Sequence, residues 1–201
     1  MTDIPLEREL PVGSIGRHAN GWWGMMTLIS TEGALFAYLL FSYYYFAVQH
    51  GRQWLPTELP HFRISAPDTL ILILSSVVVW IGERLLRRGG SPIHVALYLA
   101  GGAILGLVFM ILQYVEWANK KFSIATDSYG SLYFTITGFH MVHVLMGVFI
   151  LAALTIWTAL GFFDARRNAP VSIGAIYWHF VDVVWLTLFF TFYITPRFNL
   201  G

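Results

Sequence analysis

The fold of this chain is decided between Ser128 and Phe163, where the sequence is SYGSLYFTITGFHMVHVLMGVFILAALTIWTALGFF. These 36 residues contain no Asp, Glu, Lys or Arg. The hydrocarbon core of a bilayer is about 30 Å thick and needs about 20 apolar residues in a helix. The run is longer than one span requires and too short for two spans with a turn between them. It therefore predicts one long or tilted transmembrane helix.

Four further apolar segments lie on either side of this run. They cover about residues 24–48, 68–86, 93–117 and 171–195, and the helix inside the uncharged run is expected at about residues 130–160. We expect an all-α membrane bundle of five transmembrane helices, formed as a single domain by residues 22–201. Residues 1–21 form a polar N-terminal tail, which has no apolar core and so is not a signal peptide.

The overall composition excludes several classes of protein. Hydrophobic residues make up 57% of the 201 residues and charged residues only 11%, whereas soluble domains carry about 25% charged residues. The formal net charge of +1 gives no basis for nucleic-acid binding. Because the chain contains no Cys, disulfides, iron–sulfur clusters, thioether-linked haem and thiolate copper centres are excluded. Any redox centre would have to rest on His.

The basic residues between the spans predict the orientation. The tail shares one side with the second-to-third and fourth-to-fifth loops, and that side carries seven basic residues against five on the other. By the positive-inside rule, the N-terminus is expected in the cytoplasm and the C-terminus outside, in the periplasm. The seven are Arg8, Arg17, Arg84, Arg87, Arg88, Arg166 and Arg167, and the five are Arg52, Arg63, Lys120, Lys121 and Arg197.

Four ionisable residues are expected together at membrane depth. An ionisable group inside a span costs on the order of 3 kcal/mol on insertion scales and is a functional candidate by default. At a rise of about 1.5 Å per residue, Glu32, His143, His179 and Asp182 each fall about 10–16 Å from the cytoplasmic end of their span. We therefore hypothesise that Glu32 pairs with His143 or His179 across a helix interface. The alternative is that each group bonds only to local backbone or water.

The spacing of the membrane His residues leaves two interpretations open. His140 and His143 are three residues apart and share a helix face, as His179 and Asp182 do. Such spacing suits either a metal or haem site or contacts that hold helices together. Since no Cys and no acidic ligand cluster accompanies these residues, we expect no metal site.

Small and aromatic residues predict helix packing. Gly102 and Gly106 have the spacing that lets two helices approach closely. Trp178 and Trp185 are seven residues apart, so they lie on one helix face, where packing is more common than a cofactor contact.

Two Glu residues fall near the ends of their helices. Glu116 lies at the outer end of the third span, and Glu83 lies at the inner end of the second beside Arg84 and Arg87. We expect both at the membrane interface, as solvated or salt-bridged helix ends. The cluster of Arg84, Arg87 and Arg88 suits an anionic lipid headgroup or a solvated cytoplasmic loop.

Several motifs, in the same order along the chain, resemble subunit III of the haem–copper terminal oxidases. Residues 138–144, GFHMVHV, resemble the family's Gly-Phe-His-x-x-His-Val segment, and residues 177–185, YWHFVDVVW, match its final-helix signature. Ser30-Thr31-Glu32 resembles the segment with the family's carbodiimide-reactive carboxylate. Residues 112–116 and 127–131 resemble the loop region before the His-rich helix. The similarity covers roughly residues 22–195.

The resemblance implies an accessory subunit without a redox centre. Such a chain binds no haem or copper, which lie in partner subunits; it packs mainly against subunit I, with subunit II and small subunits nearby. It also binds phospholipid in a cleft and sustains proton uptake. Many members have seven helices, and the first two are missing here, as in short bacterial members of the inner membrane. That difference puts the enclosed lipid cleft in doubt.

Three other functions remain open at this point. One is a similar accessory protein of a nitric oxide reductase system. Another is an autonomous proton-coupled carrier that uses Glu32, although no internal repeat supports it. The last is a small haem or metal enzyme of the membrane. The motifs do not distinguish cytochrome c from quinol as the electron donor of the complex.

Overall fold

The computed structural model describes residues 20–56 and 62–197. Within them, five helices are long and apolar enough to cross a membrane, and no strand is present. The prediction of an all-α bundle with five spans is confirmed. The helices are α1 (Asn20–His50), α2 (Phe62–Arg87), α3 (Pro92–Ala118), α4 (Ser128–Ala159) and α5 (Ala169–Phe189). Most of the predicted polar tail, residues 1–19, lies outside the described part of the chain.

The largest difference from the predicted bounds is at the start of α2. The prediction began this span at Asp68, after Pro67, whereas the helix begins at Phe62 and contains Pro67. A proline in a helix removes the bond from its own missing N–H to the carbonyl four residues earlier. Here that carbonyl belongs to Arg63, in the first turn. The interruption is therefore confined to the first turns, and Asp68 lies inside the helix.

Local signals fix the remaining helix ends. The Asp127 carboxylate accepts a hydrogen bond of 2.6 Å from the backbone N–H of Gly130 and so caps α4. Gly89 and Gly161 have φ angles of 76° and 77° just after α2 and α4. This left-handed conformation ends helices and costs glycine least.

Helices α2, α3, α4 and α5 pack in a ring, each against the next. Helix α1 lies outside the ring against α5 and α4, and its buried side chains are Phe36 and Tyr43. The five helices leave the bundle with two distinct ends. We call them the α2–α3 end, which also carries the α4–α5 loop, and the α3–α4 end, where α5 finishes.

Two tryptophans of α5 fill the centre of the ring. Trp178 and Trp185 are almost completely buried. Trp178 lies between two helices at glycine positions, because an added Cβ would come within 2.5 Å of its ring at Gly106 and within 2.6 Å at Gly147. Their indole N–H groups donate to hydroxyls of α2, Trp178 to Ser75 and Trp185 to Thr69, each at 3.0 Å. Both residues therefore serve in packing, as the spacing indicates.

The C-terminal part of the last span departs from α-helical geometry. Phe190–Ile194 form a π-helical turn, and Thr195–Arg197 form a short 3₁₀ turn. The wider turn changes the direction of the following side chains. It directs Tyr193 into the bundle towards Glu116, while Thr191 and Thr195 meet the Tyr44 hydroxyl of α1 at 3.1 and 3.3 Å.

Candidate functional site: polar pairs between the helices

Glu32 and His143 meet across the interface between α1 and α4. The distance from Glu32 Oε2 to His143 Nε2 is 3.1 Å. The His143 side chain is 13% exposed and that of Glu32 is 33% exposed, so the pair is partly shielded by protein. The Phe36 ring lies 5.1 Å from the His143 ring, edge to face, on the side of α1. Of the two partners proposed for Glu32 from the sequence, the structure places His143 beside it.

The hydrogen bonds of this pair fix how many protons it holds. His143 Nδ1 lies 2.7 Å from the carbonyl oxygen of Phe139, which can only accept, so Nδ1 carries a proton. The contact between Nε2 and the Glu32 carboxyl then needs one more proton, located on either atom. The pair is either a neutral acid with a neutral imidazole or an ion pair. In both cases its net charge is zero.

His179 and Asp182 contact a different helix. His179 Nδ1 lies 3.1 Å from the hydroxyl oxygen of Ser76 in α2, and the same hydroxyl lies within hydrogen-bonding range of Asp182. In the part of the chain that the structure describes, no hydrogen bond or ion pair links this group to Glu32. Tyr177, on the same helix, faces the first pair and donates to the His143 carbonyl at 3.3 Å.

The two pairs lie near the middle of their helices. Helix α1 covers residues 20–50, so Glu32 is three residues from its midpoint, and His143 is at the midpoint of α4 (128–159). Asp182 is next to the midpoint of the last span (169–197), and Ser76 is close to that of α2. Glu32, Ser76, His143 and Asp182 therefore all lie near the middle of their own helices.

His140 points into the bundle rather than towards lipid. It is fully buried, and its ring stacks on Trp185 at 5.1 Å with Phe109 edge-on at 5.9 Å. Neither ring nitrogen has a hydrogen-bond partner among the described residues. This position suits contacts that hold helices together, and it does not suit contact with lipid.

The charged residues at the α2–α3 end form short-range contacts. Glu83 is buried and pairs with Arg87, which also donates to Ser172 of α5 at 3.2 Å. The Arg84 guanidinium lies 3.9 Å above the Trp80 ring. Arg84 and Arg88 are exposed, so they remain accessible to an anionic group.

Glu116 lies deeper in protein than an interfacial helix end. Its side chain is 5% exposed, and Oε1 accepts from Lys120 Nζ at 2.8 Å and from the Tyr193 hydroxyl at 2.5 Å. The salt bridge agrees with one of the two expected states, but a solvated position is wrong. The burial follows from the π-helical turn, which the sequence pattern did not indicate.

The sequence analysis missed several buried polar residues. Ser76 and Tyr177 contact the predicted residues directly, and nothing in their spacing singled them out. Asp68 and Gln113 are completely buried near Glu116. Asp68 was missed because the span was thought to begin there; treating Pro67 as internal to the helix would have identified it. Across residues 20–56 and 62–197, no three His, Asp or Glu side chains come together as a metal site.

Comparisons with known proteins agree on one family. The family model for cytochrome c oxidase subunit III matches residues 17–196, which include all five helices. Cytochrome c oxidase subunit 3 of Drosophila melanogaster is 34% identical over 179 residues, covering 85% of this chain and 68% of the fly protein. The human protein of that name is 32% identical with the same coverage. The one from Spodoptera frugiperda is 37% identical over 144 residues, covering 70% of this chain and 97% of its own length.

Proposed function

Because this chain belongs to the cytochrome c oxidase subunit III family, we propose that it is a non-redox accessory subunit of a respiratory oxidase that reduces oxygen to water and pumps protons. In this role the chain itself carries no haem or copper. It packs mainly on catalytic subunit I, near subunit II, and helps to keep proton uptake going during repeated turnover. The membrane we propose is the inner membrane of a bacterium.

The pair of Glu32 and His143 is the observation that supports this role most directly. It holds one proton between Oε2 and Nε2, at mid-length of the bundle. Because the shared proton leaves the pair with zero net charge in either position, the resting pair avoids most of the cost of a buried ion. Release or uptake of that proton changes the charge of the pair by one unit, as a proton-buffering group near a pump requires.

The distribution of basic residues predicts the orientation of the chain in the membrane. We propose that the α2–α3 end faces the cytoplasm, because the tail and the two loops on that side carry seven basic residues against five. Exposed Arg84 and Arg88 at that end are then in position for phospholipid headgroups of the cytoplasmic leaflet. Arg87 is less available, because it already pairs with Glu83.

The first test is gentle purification from native membranes. We expect the chain to co-purify with a haem-bearing oxidase subunit. Identification of the accompanying chains also shows whether the electron donor is cytochrome c or quinol. Co-purification with a nitric oxide reductase would contradict the assignment, as would an isolated chain that transports protons in liposomes.

The second test measures activity over many turnovers. An oxidase that lacks this chain should begin at a normal rate and then lose activity, and the Glu32→Gln variant should do the same to a lesser extent. Ser30→Ala is a matched control on the same helix, because Ser30 is exposed and its hydroxyl donates to the Met26 carbonyl of its own helix. Unchanged durability of both the deletion and Glu32→Gln would rule out the proposed role.

A further inference from the structure

A second group of buried polar residues lies at the α3–α4 end, separate from the Glu32 and His143 pair. Four helical elements and the α3–α4 loop contribute to it: α2 supplies Asp68, α3 supplies Gln113 and Glu116, the loop supplies Lys120, α4 supplies Tyr133, and the π-helical turn supplies Tyr193. Asp68 and Gln113 have no solvent-exposed area, and Glu116 is 4% exposed. The group is therefore enclosed by protein on all sides.

Several polar atoms of this group have no partner among the described residues. They are both carboxyl oxygens of Asp68, both polar atoms of the Gln113 amide and Oε2 of Glu116. Buried polar groups in proteins are almost always hydrogen-bonded to protein or to ordered water. Five such atoms lie on three side chains of this group, although the Gln113 amide also lies beside the Tyr133 hydroxyl. A small polar molecule such as water would satisfy them.

The charges of the group give a second constraint. Lys120 is bonded to Glu116 at 2.8 Å, and its ammonium lies 5.3 and 5.6 Å from the Tyr133 and Tyr193 rings. One cation therefore neutralises one carboxylate. Asp68 lies within electrostatic range of Glu116, so an ionised Asp68 would leave a second negative charge enclosed without a counter-charge.

No cation among the described residues bonds to either carboxyl oxygen of Asp68. Arg197 is exposed, lies 4.1 Å above the Phe62 ring and donates to the backbone carbonyl of Tyr193. Lys121 is exposed as well. The Tyr193 hydroxyl donates to Glu116, and the Tyr133 hydroxyl lies 3.3 Å from the Tyr193 hydroxyl.

We propose that Asp68, Gln113 and Glu116 form a buried site that binds water and one proton, with Asp68 present as the neutral acid. The acid O–H of Asp68 and the Gln113 amide donate to the bound water, and the water donates to Glu116 Oε2. Lys120 and Tyr193 hold Glu116 in place from the other side. The site thus keeps one negative and one positive charge, and its net charge is zero. This inference does not depend on the role proposed for Glu32.

Infrared difference spectroscopy on the purified oxidase complex tests the protonation of Asp68. The Asp68→Asn variant minus wild type should show the loss of one carboxylic-acid C=O band, present at neutral pH and shifted by deuterium oxide. Asp127→Asn is the matched control: its carboxylate is exposed at a helix N-terminus, where Asn caps equally well. The control should lose only carboxylate bands. Loss of carboxylate bands alone in Asp68→Asn would overturn the proposal.

The Gln113→Leu variant tests the bound water and remains informative if Asp68→Asn fails to assemble. With the water displaced, the acid band of Asp68 should shift in frequency without disappearing, and a water O–H band sensitive to ¹⁸O should be lost. An unchanged acid band and no lost water band would show that the site is dry. Spectra with sodium replaced by choline should be identical; an acid band that sodium removes would assign the site to an alkali cation instead.

Discussion

Replacing Gly147 with Ala tests whether Trp178 closes the centre of the bundle. An added Cβ would lie 2.6 and 2.8 Å from the indole ring and 3.5 Å from Tyr177. The Trp178 ring cannot move away freely, because its far edge already packs closely against Gly106. A Cβ added at Gly106 would lie only 2.5 Å from that edge. We therefore expect the ring to shift and weaken its hydrogen bond to Ser75, now 3.0 Å.

The expected magnitude follows from three opposing terms. Overpacking in a filled core costs about 1–3 kcal/mol, and the weakened hydrogen bond costs about 1 kcal/mol. Ala in place of Gly in a helix gains about 0.5–1 kcal/mol. The net effect is a decrease of about 1–3.5 kcal/mol in the free energy of unfolding.

The assay is denaturant unfolding in detergent micelles, followed by tryptophan fluorescence. Gly138→Ala is the matched control on the same helix, because the nearest atom to its added Cβ is 3.9 Å away; it should be neutral or stabilising by about 0.5–1 kcal/mol. Adding Trp178→Leu to Gly147→Ala should cost less than the sum of the two single changes, with a coupling of about 0.5–3 kcal/mol. If Gly147→Ala is as stable as Gly138→Ala, the inferred close packing of Trp178 is wrong.

Three further predictions concern polar contacts. A double-mutant cycle of Glu32→Ala and His143→Ala should give a coupling of about 0.5–3 kcal/mol in unfolding free energy; additive effects would show that the 3.1 Å contact contributes nothing. Asp127→Ala should lower the free energy of unfolding by about 0.5–2 kcal/mol through loss of the α4 cap, whereas Asp127→Asn should be close to wild type. In the α4–α5 loop, backbone N–H groups of Arg167 and Arg166 hold the pKa of Asp164 below its usual value. The resulting small contribution to the free energy of unfolding is present above the unfolded pKa of about 4 and is lost as pH falls through the lower folded pKa. Asp164→Asn should therefore make stability fall less steeply at acid pH. An unchanged dependence of stability on acid pH would contradict this prediction.

The five spans could be predicted because their signal is local. The uncharged run 128–163 and its four neighbours need only length and composition to identify them. The exact bounds of the helices could not be predicted, because a helix can extend beyond its apolar segment until a local signal ends it. Helix α2 extends back to Phe62 through Pro67, and this places Asp68 inside the bundle.

The sequence limited the partner of Glu32 to His143 or His179 but could not decide between them. Counting residues predicted similar heights along their spans for Glu32, His143 and His179, since the helical rise is regular. Depth says nothing about which helices are neighbours, and that is set by packing in three dimensions. Helix α1 lies against α4 and α5 outside the ring, so both His-bearing helices were within reach. Only the side-chain directions, His143 towards α1 and His179 towards α2, decide the pairing.

The proton of the Glu32 and His143 pair gives the two residues unequal roles. Removing the carboxyl by Glu32→Gln leaves His143 with its Nδ1 proton bonded to Phe139 and a neutral ring. The amide N–H of Gln can then donate to Nε2, so the contact persists but contains no acidic proton that could be transferred. Removing the imidazole by His143→Ala leaves Glu32 without its partner inside a span, which is costly. If the pair served only to hold α1 against α4, Glu32→Gln would be the milder change. If the pair serves in proton uptake, Glu32→Gln should shorten the period of sustained turnover even though α1 stays in place. Measuring both the stability of this one variant and how long its activity lasts therefore separates the two roles.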